Sequence, residues 1–342
     1  MDGQKFLVKG INYGPWRPGT GPNKGYPYPS PVEVEQDLRM IHDLNANTIV
    51  VWDPPGYVLD LAARYNLKVL YVFYVNWWTI GTAQNAAARE SILQRVQEYR
   101  DKPALLGWVL GNEIPESVLS QRGEAPVVNG LRDLYQSVKA IDNQHPITSA
   151  NQPTTKDLDL HFLDITSFNV YPLWPPQVVA LGFGPYLTQV LQPIAEGKPF
   201  LVTEFGADSL EAGDVGQAQL LQQCWDAIRQ SGAAGGAVFE FADEWWKNYD
   251  NPVRPGDWWN RVPAPNDEKQ QDLDPEENYG IVTAYRQPKA AYATVQKMFS
   301  ADDPSDARAI PAVVVALLVI LAVGAWLGAR ARSQTGSTSA NE

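Results

Sequence analysis

Short apolar runs rich in β-branched and aromatic residues recur along the chain, separated by longer segments whose apolar positions repeat every three or four residues. The runs predict strands at Leu7–Tyr13, Thr48–Trp52, Lys68–Val75, Leu106–Leu110, Pro146–Ala150, Ile165–Val170, Phe200–Thr203 and Ala237–Phe241. Between them, Ser30-Pro31 followed by Glu33 reads as a capped helix start, Ala86 to Tyr99 as a long helix, and Gly216 to Gln230 as an amphipathic one. Strands alternating with helices build parallel sheets, and eight such units close a (β/α)₈ barrel. The stretch from Lys247 to Gln287 is rich in Pro, Asp and Trp and is expected to be a loop after the eighth strand, forming a wall of a cleft. A helix from Pro288 to Phe299 then completes the barrel.

The pattern changes after residue 300. Residues 310–329 hold no charged side chain, and IPAVVVALLVILAVGAWLGA is apolar on every face, long enough to span a bilayer core of about 20 residues. The expected organisation is therefore a catalytic domain over 1–300, a polar stalk over 301–309, a single transmembrane helix over 310–329 and a short polar tail over 330–342. Arg330 and Arg332 follow the span while Arg308 precedes it, which places the tail in the cytoplasm and the barrel outside. The opening MDGQKFLVKG carries no apolar export segment, so either a start further upstream or a fragment of a longer chain is expected, ahead of a tail-anchored protein with its barrel in the cytoplasm.

Composition narrows the chemistry. With 342 residues and 44% hydrophobic content the chain can bury a large core. A net charge of -12 argues against nucleic acid or another polyanion as partner and favours a neutral substrate. Cys224 is the only cysteine, so no internal disulfide forms, and it is expected as a small core residue. His42, His145 and His161 lie far apart without metal-ligand spacing, so neither a metal nor another cofactor is expected. Twelve tryptophans are many for this length. Trp16, Trp52, Trp77, Trp78, Trp174, Trp245, Trp246, Trp258 and Trp259 fall at strand ends or in loops, where flat rings suit stacking on sugars, although about half could equally cap the core.

In a (β/α)₈ barrel the residues just after each strand line the active-site mouth. GWVLGNEIP ends the fourth strand in Asn112-Glu113, and PFLVTEFGAD ends the seventh in Glu204. Two carboxyl groups facing each other across the mouth are what glycosidic cleavage needs, one to protonate the leaving oxygen and one to attack or stabilise the oxocarbenium-like centre. Asp53, Asp208, Asp243 and Glu244 share that rim, either as hydrogen-bonding groups for substrate or as solvated surface.

From Lys9 to about Phe299 the chain resembles the clan of retaining glycoside hydrolases whose acid/base and nucleophile follow strands four and seven. Within it the sequence is similar to the barrel domain of glycoside hydrolase family 2, and to glucanases and β-1,3-glucanosyltransferases. The pieces that carry the likeness are KGINYGP, NTIVVWD, LGWVLGNE, SFNVYP, LVTEFGAD, GGAVFEFADEWW, and NYGIV followed by QPKAAY. The resemblance implies Glu113 as acid/base, Glu204 as nucleophile, and Asn112 as partner of the 2-hydroxyl of the cleaved sugar. It implies Tyr171 as a hydrogen-bond partner of the nucleophile, with Asn169 beside it, and Trp245 or Trp246 as a sugar platform; Trp52 and Asp53 complete the expected substrate contacts. One position departs from the pattern: Val50 stands where many clan members have an arginine that helps keep the nucleophile ionised, leaving Arg17 and Lys247 as replacement cations.

The expected reaction is hydrolysis of a β-linked oligo- or polysaccharide by double displacement, with the carboxyl groups about 5 to 5.5 Å apart. A glucan transglycosidase uses the same pair, a catalytically silent carbohydrate-binding barrel is the rival suggested by Val50, and metal-dependent hydrolysis ranks last.

Overall fold

In the computed structural model, residues 6–22, 25–247 and 275–300 are described. Eight parallel strands pair in chain order and close on themselves: β1 (Val8–Asn12), β2 (Thr48–Trp52), β3 (Lys68–Phe73), β4 (Leu105–Asn112), β5 (Ile147–Asn151), β6 (Thr166–Asn169), β7 (Phe200–Phe205) and β8 (Gly235–Val238). The barrel is shut by β1 against β8, with Val8 opposite Gly235 and Gly10 opposite Ala237. Small residues are required there. A Cβ at Gly10 would lie 2.7 Å from that of Ala237, and one at Gly235 would lie 2.2 Å from the Val8 carbonyl oxygen.

Outside the sheet run α1 (Pro31–Asp43), α2 (Gly56–Arg64), α3 (Ala86–Tyr99), α4 (Glu116–Arg122), α5 (Glu124–Ile141), α6 (Pro176–Leu181), α7 (Phe183–Tyr186), α8 (Gln192–Ile194), α9 (Ser209–Gln230) and α10 (Ala290–Ser300). The predicted Ser30 cap is a full capping box, its hydroxyl oxygen accepting from the Glu33 N–H while the Glu33 carboxylate accepts from the Ser30 N–H. Three sequence expectations need correction. The helix predicted from Gly216 starts at Ser209, because Asp208 caps it, and it is kinked at Gly213, whose φ of 69° is non-helical. The last strand starts two residues and ends three residues earlier than predicted, because two glycines carry its start without any β-branched signal. The fifth unit has no α-helix: β5 is followed only by a 3₁₀ turn at Pro153–Thr155 before β6.

Inward-facing Val8, Val50, Leu70, Val72, Val109, Ala150, Leu201 and Ala237 fill the barrel interior as one apolar plug. A second, larger cluster seals the sheet to its helices and includes Trp108, Trp225 and Cys224. No helix among the described residues is long and apolar enough to cross a membrane. The predicted span at 310–329 with its stalk and tail, the Trp258–Trp259 segment, and most of the loop predicted between Lys247 and Gln287 lie outside the described residues.

Candidate active site

Strict alternation along β7 would turn Glu204 away from the barrel axis. Leu201 packs in the interior and Val202 in the outer core, so residues 203 and 205 should point in and 204 out. The register shows what redirects it. Against β6, Phe168 pairs with Val202 and Asn169 with Glu204; against β8, Val202 pairs with Gly236 and Phe205 with Val238. Both neighbours thus count one extra residue in β7 at 203–204, a bulge that lets Thr203 and Glu204 both face the mouth while Phe205 returns to the outer core. β4 repeats the device: Val109 pairs with Thr148 but Asn112 with Ala150, again one residue extra. Gly111, at φ 77°, absorbs it, where a Cβ would lie 2.4 Å from the Trp77 ring. Glu113 follows at φ 37°, uncommon for a residue with a side chain, its N–H donating to the Ala150 carbonyl at 2.7 Å.

A hydrogen-bonded chain runs from Thr203, the residue before Glu204, to Glu113, and a separate hydrogen bond holds Glu204 itself. Thr203 Oγ1 donates to Asn169 Oδ1 at 2.8 Å, which fixes the Asn169 amide with its Nδ2 toward β4. That Nδ2 donates to Asn112 Oδ1 at 2.8 Å and to Glu113 Oε1 at 2.9 Å. The Tyr171 hydroxyl donates to Glu204 Oε2 at 2.6 Å. Glu204 is only 8% exposed. Burial raises the pKa of both acids; Glu204 is pushed up to about 8, first by burial and then by the charge of Glu113, against the Tyr171 hydrogen bond and the Lys247 charge. The charge of Glu113 thus makes Glu204 harder to ionise. A proton on Glu113 removes that repulsion, leaving the Tyr171 hydrogen bond and the Lys247 charge to favour the ionised form of Glu204. Tyr171 stays a neutral donor, since burial and Glu204 raise its own pKa well above normal.

Of the other predicted residues, Trp52 closes β2 on the same face as Val50 and is 41% exposed, a free ring at the mouth. Asp53, at φ 36°, accepts from the Tyr71 hydroxyl at 2.6 Å and lies 3.6 Å from Arg95, so it braces β2 to β3. Trp245 meets Tyr285 edge to face at 5.5 Å; Trp246 packs on Gly21. Neither indole N–H has a partner among the described residues. Trp77 is a correction to the picture of rim aromatics: it is buried, its Nε1 donating to the Asn112 carbonyl at 2.7 Å, so it anchors the end of β4.

The extra rim acids are corrected too. Asp208 caps α9, accepting from the Glu211 N–H at 2.7 Å. Asp243 binds Lys289 at 2.7 Å and the Gly280 N–H at 3.0 Å. Glu244 is buried, with Lys247 at 3.3 Å and the Trp16 N–H at 3.3 Å. None of the three is solvated surface. Arg17 is no replacement cation, since it grips Asp37 at 2.8 and 3.0 Å.

One residue escaped the sequence reading. Phe239, directly after β8 and half-buried, stands edge-on to Tyr171 at 6.1 Å and to Tyr279 at 5.4 Å, beside the Tyr171–Glu204 hydrogen bond. Its position two residues before the predicted end of the strand hid it inside an apolar run.

The sequence matches the family described as "Glycosyl hydrolases family 2, TIM barrel domain" over residues 1–301. Among curated relatives, mannan endo-1,4-beta-mannosidase A of Hypocrea jecorina is 25% identical over 189 residues, which is 44% of this chain and 43% of that protein. A GH2 beta-galacturonidase from Eisenbergiella tayi, solved with galacturonate bound, superposes with a TM-score of 0.67 at 23% identity, over 88% of this chain and 52% of that one. Bacteroides uniformis beta-glucuronidase 2, covalently bound to cyclophellitol-6-carboxylate aziridine, gives 0.67 at 17% identity, over 89% and 36%. The chain thus spans about half or less of the length of these relatives.

Proposed function

The chain belongs to the TIM-barrel domain family of glycosyl hydrolases family 2, and from that premise we propose that it hydrolyses a β-linked glycan with retention of configuration, Glu204 being the nucleophile and Glu113 the acid/base. The observation that carries this reading is a pair of buried acids at the ends of β4 and β7, each with one neutral donor, Tyr171 to Glu204 and Asn169 to Glu113, the Asn169 amide being oriented by Thr203, the residue before Glu204. Tyr171 occupies Glu204 Oε2, which leaves Oε1 to attack the anomeric carbon. Asn169 occupies Glu113 Oε1, which leaves Oε2 to carry the proton.

In the first step Glu113 donates that proton to the glycosidic oxygen, the bond from the anomeric carbon to that oxygen breaks, and Glu204 Oε1 bonds to the anomeric carbon. In the second step Glu113, now a carboxylate, takes a proton from water as the water oxygen attacks the anomeric carbon and the ester to Glu204 breaks. Asn112, whose Oδ1 already accepts from Asn169, has its amide N–H bonds left to donate to a sugar hydroxyl. Trp52, exposed at the end of β2, offers a ring face to a sugar, and the half-buried Trp245 and Trp246 after β8 are the further platforms. The apolar run at 310–329 supports a membrane anchor that holds the barrel outside the cytoplasm, close to an envelope glycan.

The test is to incubate the full chain with β-linked gluco-, manno- and galacto-oligosaccharides beside Glu204→Gln, following product sizes by mass spectrometry. Shorter products from the unmutated protein alone support hydrolysis, and products longer than the substrate redirect the reading to glycosyl transfer. Turnover that survives Glu204→Gln within a few-fold removes Glu204 from the role of nucleophile.

A further inference from the structure

A carboxylate that must attack while buried beside a second carboxyl group needs a positive charge to hold it ionised. Glu204 faces Glu113 directly after β4, Tyr171 from the segment after β6, Glu276 from the 3₁₀ turn Pro275–Asn278, Tyr279 just after that turn, and Lys247 from the segment after β8. Of these, Lys247 alone is a cation. The arginines of the adjoining wall are committed elsewhere: Arg17 and Arg286 both close on Asp37, at 2.8 and 3.0 Å. Val50, on the inner face of β2, is apolar and packed in the barrel plug.

Lys247 is only 7% exposed. Its ammonium pairs with Glu240, lies 3.3 Å from Glu244, and sits 4.4 Å above the Phe239 ring. Phe239 is the ring that stands against Tyr171, and Tyr171 is the donor to Glu204. One wall of the pocket is thus an ordered stack of ammonium, phenyl, phenol and nucleophile. The pairing is also uneven: the second oxygen of Glu240, Oε1, is buried with no hydrogen-bond partner among the described residues. A buried ion pair held together this incompletely is a costly way to gain stability, since desolvating the charges offsets their attraction.

We propose that Lys247 is a positioning residue of the reaction, its ammonium, fixed by Glu240 and Glu244 against Phe239, favouring the ionised form of Glu204 that attacks. This rests on the assignment of Glu204 as nucleophile. Lys247 touches no reacting atom; it acts through the field at Glu204 and through the Phe239–Tyr171 stack. Glu276 acts on the same carboxylate in the opposite sense, its negative charge making ionisation harder.

The opposition of these two residues supplies the test. In the full chain, Lys247→Met is expected to move the acidic limb of the kcat/KM profile upward by about one pH unit or more. Glu276→Gln moves the same limb downward, and Lys247→Arg restores it near its original place. A role limited to holding the fold would lower activity evenly and leave the limb unmoved. Should Lys247→Met fail to fold, Lys247→Arg and Glu276→Gln still carry the comparison, and an acidic limb that ignores Glu276→Gln overturns the proposal. The titration of the Glu204 carboxyl carbon, followed by carbon-13 NMR and assigned by its loss in Glu204→Gln, is read without any turnover. Absence of activity on every glycan therefore defeats the proposed function, whereas a Glu204 titration that does not move in Lys247→Met or Glu276→Gln defeats the role of Lys247.

Discussion

Two buried carboxylate sites stand at the same end of the barrel and are built on opposite plans. Asp37, on α1, is 1% exposed and is saturated: Arg17 and Arg286 each close on it and the Tyr13 hydroxyl donates to it at 3.2 Å. Glu204 and Glu113 receive one neutral donor each in the hydrogen bonds described, with a single lysine lending its field from behind Phe239. The fully compensated acid has nothing left to give a substrate and fastens the β1 loop to the β8 loop. The under-compensated pair keeps free oxygens and raised pKa values, which is what a proton donor and a nucleophile require. Burial alone does not mark a functional acid; the shortage of opposing charge does.

The comparison breaks most sharply by substitution at each site. Glu113→Gln is expected to lower kcat by about 10²- to 10⁴-fold, the usual worth of a positioned proton donor, while the melting temperature holds. Asp37→Asn does the reverse: it strands two arginines and costs about 3 to 5 kcal/mol of stability by chemical denaturation, with kcat per folded molecule nearly unchanged. An Asp37→Asn protein that is stable but inactive would erase the distinction. Tyr171→Phe removes the one direct donor to Glu204, a hydrogen bond to a charged group worth about 1.5 to 3 kcal/mol, so kcat/KM falls roughly 10- to 100-fold. Its acidic limb moves upward, because Glu204 then ionises less readily.

The smallest effect is on stability. Glu204 is raised by burial from 4.5 toward about 8, so the folded state holds its proton more tightly than the unfolded chain does. That contribution is full below the unfolded pKa and is lost as pH rises through the folded one. Glu204→Gln removes the loss, and its melting temperature should exceed that of the unmutated protein by more at about pH 8 than at about pH 5. An equal difference at both pH values would mean that Glu204 is not held against its charge.

Much of this architecture is legible in the sequence, and the gaps have physical causes. The eight strands announce themselves because most are buried on both faces and read as continuous apolar runs, such as TIVVW and KVLYVF. Asn112-Glu113 and Glu204 are found because they interrupt such runs at their ends. The bulges that aim them are invisible, since an extra residue in β4 or β7 is defined only by the count in neighbouring strands. The same blindness leaves Asp208 and Asp243 as either substrate contacts or solvated surface; only the structure shows one capping α9 and the other holding Lys289 and the Gly280 N–H. Phe239 was lost among apolar neighbours, and Lys247 was one of two candidate cations until the Arg17–Asp37 pair removed the other.

The most direct test of the central claim is the stereochemistry of the product. With a β-linked oligosaccharide that the full chain cleaves, the newly formed reducing end is followed by proton NMR before mutarotation scrambles it. Double displacement through Glu204 predicts that the β anomer appears first and the α anomer only later. An α anomer formed first would mean single displacement by water, with carboxyl groups about 6.5 to 9.5 Å apart, and would contradict Glu204 as the nucleophile.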